Sequence, residues 1–260
     1  RSTGHILLAS SGSREEEKAY HEPGGGFSPG VGTFGISVWL CSPNGKEFIT
    51  SETIPLNDIA QSFTWWDDEP LPGLRTITPY YSAEWTQADW GKWRLHLNVQ
   101  DNVTLDPALL IRSAGPAGGP IHKMHWDGHA LWVNQRWSVT IQPAPKAVNL
   151  GEEGAADWHR SGDADRKVVS ESGWAFARIQ LERGTPWTIS VHDAHASLPP
   201  ENALERTSAQ LHVNLPDPRF QQSLNAQAAH LIMGLVGRET RPGDPTNYPL
   251  AWQRDGAYVL

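Results

Sequence analysis

The sequence predicts a mainly β protein: an antiparallel β-sandwich followed by the first helices of an (α/α) barrel. Three observations predict it. Short runs of alternating apolar and polar residues recur through the first ~190 positions, as half-buried strands require. Turn residues separate them, drawn from 24 Gly and 20 Pro in 260 residues. After Ala196 the apolar spacing changes from two to three and four, the period of a helix. The domain boundaries are accordingly 1–200 for the sandwich and 201–260 for a linker and barrel helices.

The elements follow in order. Arg1 to Gly30 is Ser- and Gly-rich, with the charged run Arg14-Glu15-Glu16-Glu17-Lys18 and then Pro23-Gly24-Gly25-Gly26, and reads as loop and a first strand. Phe34, Ile36, Val38 and Leu40 share one strand face; Ser37 and Trp39 share the other. Pro43-Asn44-Gly45 supplies a turn because Asn and Gly tolerate positive φ, and a strand returns through Phe48 and Ile54. Leu95, Leu97 and Val99 point inward and Arg94, His96 and Asn98 outward. Ile121–Trp126 and His129–Asn134 flank Asp127-Gly128, the strongest hairpin signal in the chain. Trp137, Val139 and Ile141 form a strand ended by Pro143 and Pro145. Trp174–Leu181 and Trp187–Val191 read as a further pair joined by Arg183-Gly184-Thr185-Pro186. Burial is expected at Phe34, Leu95, Val139 and Ile189, while Ser37, His96 and Ser190 are expected to be mostly exposed or on a second interface.

Asp217-Pro218 marks a helix start, since Asp accepts from first-turn N–H groups and Pro loses no hydrogen bond there. Phe220, Leu224, Ala228, Leu231, Ile232 and Leu235 continue it as an apolar stripe, with Gly237 as the stop. Left uncovered, such a stripe would drive self-association. Asp255 reads as the cap of a second helix, and the sequence stops about one turn later, on apolar residues. One turn bears the cost of nucleation without propagation, so the chain reads as a piece of a longer protein.

Composition excludes several classes. The formal charge is −8, with no Lys/Arg cluster of the kind that nucleic-acid binding needs. The apolar runs fall far short of the ~20 residues of a membrane-spanning helix. A single cysteine, Cys41, rules out an internal disulfide framework and leaves the compartment open.

The unusual count is tryptophan: 13, against 6 Phe and 5 Tyr. Flat indole faces stack on the C–H side of sugar rings, yet sandwich cores use Trp as well. His122, His125 and His129, like His192 and His195, are spaced as strand histidines on opposite faces and not as metal ligands. No metal and no cofactor are expected. Gly115-Pro116-Ala117-Gly118-Gly119-Pro120 lacks the Lys and the following helix of a phosphate loop, and Ser172-Gly173 lacks the flanks of a nucleophile elbow. Trp65-Trp66-Asp67-Asp68-Glu69 sets aromatics beside carboxylates but reads as a solvated turn.

The C-terminal segment carries the functional signal. Trp252, Arg254 and Asp255 place an aromatic face, a forked donor and a carboxylate at a loop-to-helix junction. Arg donates and Asp accepts, so together they can hold neighbouring hydroxyls of one sugar. The same spacing equally describes an Asp helix cap with an Arg ion pair. The segment Asn247-Tyr248-Pro249-Leu250-Ala251-Trp252-Gln253-Arg254-Asp255-Gly256-Ala257 resembles the Trp-x-Arg-Asp motif of glucoamylase-type, six-hairpin glycoside hydrolases. That resemblance implies a β-sandwich ahead of an (α/α) barrel, with Asp217–Val236 as the first barrel helix. It also implies that Arg254 and Asp255 grip the terminal sugar of an α-linked glucan or oligosaccharide, beside Trp252. The family's catalytic carboxylates lie on later helices, so these 260 residues are expected to be inactive alone. A non-catalytic carbohydrate-binding or scaffold module is the alternative, and an enzyme that phosphorolyses or isomerises sugars on a related barrel is a third reading.

Overall fold

The structure is a computed structural model that describes residues 6–8, 18–42, 48–64, 72–89, 91–154, 166–196, 215–221, 223–224, 227, 235–236 and 239–240. Its strands are β1 (Ile6–Leu8), β2 (Ala19–His21), β3 (Phe27–Ser28), β4 (Gly35–Cys41), β5 (Phe48–Thr50), β6 (Ala60–Thr64), β7 (Gly73–Ile77), β8 (Tyr81–Asp89) and β9 (Lys92–Val99). They continue as β10 (Asp106–Arg112), β11 (Lys123–Trp126), β12 (Ala130–Val133), β13 (Trp137–Gln142), β14 (Ala147–Glu152), β15 (Lys167–Val169), β16 (Ala175–Gln180), β17 (Trp187–Asp193), β18 (Leu235–Val236) and β19 (Glu239–Thr240). Two antiparallel sheets result. One runs β1-β2-β3-β4-β10-β16-β14, with β5 also paired to β4; the other runs β15-β11-β12-β13-β17-β9-β8-β7-β6.

The inward faces meet in one core. Ile36, Val38 and Leu40 of β4, Leu109 and Ile111 of β10, and Ala177 and Ile179 of β16 belong to the same cluster as Trp85, Leu95, Leu97, Val139, Ile189 and Val191 of the other sheet. Burial of Phe34, Leu95, Val139 and Ile189 agrees with the alternation, and His96 on the opposite face of β9 is exposed.

Ser37 departs from that pattern: it is buried. The alternation allowed a solvent face or a second interface, and here the outward side of the sheet is covered too. Leu110 and Arg178 are buried on it, and Trp39 meets Phe48 edge-on at 5.5 Å. Phe176 lies over Gly151, where an added Cβ would sit 2.7 Å from its ring.

A second correction concerns β16 and β17. They are not a hairpin pair: β16 pairs with β10 and β14, and β17 pairs with β13 and β9. The link between them passes from one sheet to the other, through Gly184 at φ 70°. Alternation reports which face of a strand is buried, not which neighbour it has.

The described part of the N-terminal stretch, residues 6–8 and 18–30, holds more strand than its composition suggests. Beyond β1 to β3, its glycine run forms a tight turn against β8: the Gly24 carbonyl accepts from Tyr81 Oη at 2.8 Å and the Gly25 carbonyl from Trp85 Nε1 at 3.2 Å. An added Cβ on Gly24 would fall 2.0 Å from the Ser51 carbonyl oxygen, so no side chain fits.

The helix start stands where expected. Residues 218–221 are helical, Asp217 Oδ1 accepts from the Arg219 N–H at 2.9 Å, and the Asp217 carbonyl accepts from Phe220 and Gln221. Phe220 is 67% exposed. The end of this helix differs: Leu235 and Val236 are strand β18, paired with β19, where the stripe predicted helix. The helices of a barrel are not shown. Ala228, Leu231 and Ile232 lie outside the described residues.

Candidate functional site

The β15-β11-β12 end of the larger sheet collects polar and aromatic side chains on its outer surface. Two turns shape it. At the first, Asp127 Oδ1 accepts from the His129 and Ala130 N–H groups at 2.8 and 2.7 Å, while Oδ2 accepts from Trp132 Nε1 at 3.1 Å. The backbone donors of Ala130 and His129, followed by the indole, hold the Asp127 carboxyl down at about 2. Gly128 supplies the positive φ, 98°, that the turn needs.

At the second turn the Arg136 N–H closes on the Val133 carbonyl at 3.1 Å. Asn134 and Gln135 have φ of 49° and 58°, a two-residue hairpin loop of the kind that matches strand twist. Asn134 is suited to this and is tied down: Oδ1 accepts from the His122 and Lys123 N–H groups, and Nδ2 donates to the Pro120 carbonyl. Gln135 has no such local excuse, and a non-glycine residue in the left-handed region carries backbone strain of order 1 kcal/mol.

Between these turns the pleat sorts the side chains. Met124, Leu131 and Val133 are buried in the core, which sends Lys123, His125 and Trp132 outward. His125 stands opposite Trp132 on one neighbouring strand and opposite Lys167 on the other. With Lys123 and Gln135 these three line an open cavity of about 410 Å³. Neither Lys123 nor Lys167 has an ion-pair partner among the described residues.

Three further arrangements are internally matched. Glu152 Oε1 accepts from Ser170 Oγ at 2.6 Å and Ser172 Oγ at 2.7 Å, and these two donors lower its carboxyl pKa. Ser170 Oγ also accepts from the Trp174 N–H, while His122 Nδ1 meets the Ser170 carbonyl and not a hydroxyl. Among the described residues, Ser172 Oγ meets only Glu152 and Ser170. Arg136 makes a two-point pair with buried Asp193, and its guanidinium lies 5.1 Å from the Trp137 ring centre. Arg112 pairs similarly with Glu153 at 3.1 and 3.0 Å.

The residues singled out from sequence fare unevenly. Trp252, Arg254 and Asp255 lie outside the described residues, as does Trp65-Trp66-Asp67-Asp68-Glu69. Of the described tryptophans, Trp85, Trp93, Trp137 and Trp187 are core, Trp39, Trp126 and Trp132 are half-buried, and Trp174 is 50% exposed. His192 is paired across the sheet with Ser138 and Lys92. Lys123, Gln135 and Lys167 were not legible as a group. The available signal was Lys123 and His125 at alternate positions of one strand, ahead of a turn bearing Asn134.

No protein-family model and no curated protein matches the sequence. Among solved structures, the chain is similar to a family GH92 inverting mannosidase from Bacteroides thetaiotaomicron, at 9% identity and a TM-score of 0.45, over 90% of this chain and 34% of that one. It is also similar to a family GH92 α-mannosidase from the same bacterium, at 10% identity and a TM-score of 0.36, over 88% and 33%. The chain therefore spans about a third of the length of these structures. At these values the likeness assigns neither activity nor substrate, and the sandwich stands on its own strand pairing.

Proposed function

We propose that this chain is the β-sandwich module, with the start of the catalytic barrel, of a glycoside hydrolase acting on terminal sugars of an α-linked glucan or similar oligosaccharide. The observation that carries the proposal is the order of features along one chain: antiparallel sandwich, helix opening at Asp217-Pro218, then Trp252-Gln253-Arg254-Asp255. In this reading Arg254 donates to one hydroxyl of the terminal sugar, Asp255 accepts from its neighbour, and Trp252 covers the ring's apolar side. Bond cleavage needs two carboxylates flanking the glycosidic oxygen, and a wide separation would admit a water and invert the anomeric carbon. In the proposed enzyme that pair belongs to later barrel helices.

A second reading, a non-catalytic carbohydrate-binding module, is favoured by half-exposed Trp174 and by Trp132 on the outer sheet surface. One experiment separates the two. The protein carrying the downstream barrel is incubated with a panel of α-linked oligosaccharides, as wild type and as Arg254→Ala. Release of the terminal monosaccharide that collapses in the variant supports the hydrolase. No release from any α-linked substrate, with oligosaccharide binding retained by the 260-residue chain, supports the binding module.

A further inference from the structure

We propose that the cavity bounded by Lys123, His125, Trp132, Gln135 and Lys167 is a binding subsite for an anionic sugar, one whose ring bears a carboxylate or a phosphate. The inference goes beyond the hydrolase reading and uses none of Trp252, Arg254 or Asp255.

Charge is the first argument. Lys123 and Lys167 flank His125 across the β11–β15 register, and neither ammonium has an ion-pair partner among the described residues. Three arginines elsewhere on the described surface are matched: Arg136 by Asp193, Arg112 by Glu153, Arg183 by Asp106. The nearby carboxylate, Asp127, commits both oxygens to the hairpin N–H groups and the indole. Two ammonium groups in one hollow, neither with an ion-pair partner among the described residues, on a chain of net charge −8, mark a local anion preference and not a general one.

The aromatic wall is the second argument. Trp132 is held by its Nε1–H to Asp127, so its ring is oriented before any ligand arrives and little rotamer freedom remains to be lost. A flat anchored indole suits the C–H face of a pyranose, and the Gln135 amide beside it offers a donor and an acceptor for hydroxyls. A bare anion would use the lysines and leave the indole idle. A neutral sugar would use the indole and leave the lysines idle. An anionic sugar uses both.

The test follows the Trp132 indole N–H resonance of the 260-residue chain during titration, at low salt, with sodium glucuronate, glucose 6-phosphate, glucose and inorganic phosphate. At least one of the two anionic sugars should bind about tenfold or more tightly than glucose and than inorganic phosphate. Whichever anionic sugar wins identifies carboxylate or phosphate as the group read. Lys123→Gln combined with Lys167→Gln should bring that affinity down to the level of glucose while the circular dichroism spectrum is unchanged. The proposal is overturned if glucose or inorganic phosphate binds as tightly as both anionic sugars, if no titrant moves the resonance, or if the double variant retains the preference.

Discussion

Two tryptophans with the same hydrogen-bonding requirement sit in opposite settings. Trp85 is buried in the core, stacked on Phe27 at a centroid distance of 3.8 Å, with its Nε1–H satisfied by the Gly25 backbone. Trp132 is half-buried at the sheet surface, and its Nε1–H is satisfied by the side chain of Asp127. In the first case the donor is closed off by the fold and the ring is packing. In the second, the ring is held by a surface carboxylate and borders a cavity. A high tryptophan count therefore says little; what the indole N–H is tied to, and what faces the ring, decides whether the residue supports the fold or meets a ligand.

The largest expected contrast is between truncations of these two rings. Trp85→Ala should cost about 3–5 kcal/mol, because it empties a packed aromatic site. Trp132→Ala should cost about 1 kcal/mol or less, since the site is on the surface. Urea unfolding of both variants measures this, and equal losses would erase the distinction.

The core around Trp85 also contains His21, fully buried against Phe27, Trp85 and Trp93, with neither ring nitrogen hydrogen-bonded among the described residues. Burial pushes its pKa down to about 3. The folded state therefore resists a proton that the unfolded chain accepts below about 6.5, so stability is complete above that value and falls as the pH drops toward 3. Acidification from pH 8 to pH 4 should cost about 3 kcal/mol through this group. His21→Phe should flatten that limb of the stability profile, measured by chemical denaturation at a series of pH values.

A smaller effect is expected where a pair bridges core and surface. Arg136→Ala leaves the Asp193 carboxylate buried without its two-point partner, although the His195 N–H still donates to it. The Arg136 side chain is 32% exposed, so a loss of about 2 kcal/mol is expected, less than for a wholly buried pair. Thermal unfolding with Arg136→Lys alongside checks the two-point geometry, since one ammonium should restore only part of the loss.

The smallest effect is at the surface turn. Asp127→Asn should cost about 0.5–1 kcal/mol, since the amide keeps one acceptor for the hairpin N–H groups. The Asp127 contribution is present above its ordinary carboxylate range and disappears as pH falls through about 2. The more telling readout is the Trp132 indole resonance, which should shift in Asp127→Asn without a change in the core methyl spectrum.

The same contrast shows how much was legible. Leu95, Leu97 and Val99 announce their burial by alternation, and Asp127-Gly128 announces its turn by residue chemistry, because both are local rules. Asp217-Pro218 is legible for the same reason. The separation of β16 and β17 into different sheets was not, since pairing partners come from distant segments. The surface cavity was hidden likewise: Lys167 reaches His125 only through the pairing of β15 with β11. Ser37 shows that polarity does not separate a solvent face from a second interface, since the outer face of its sheet is covered around it. Of the predicted sugar-gripping residues, the resemblance supplied the role and the folded sandwich supplies only the context.

The most direct measurement of the central claim is the turnover of Asp255→Ala in a protein that carries the proposed downstream barrel, taken with its stability. A sugar hydroxyl that loses a charged partner in a water-poor pocket forfeits roughly 1.5–3 kcal/mol, so kcat/KM on an α-linked oligosaccharide should fall about ten- to a hundredfold with the melting temperature nearly unchanged. A loss of about 1 kcal/mol of stability with kcat/KM intact would make Asp255 a helix cap and contradict the assignment.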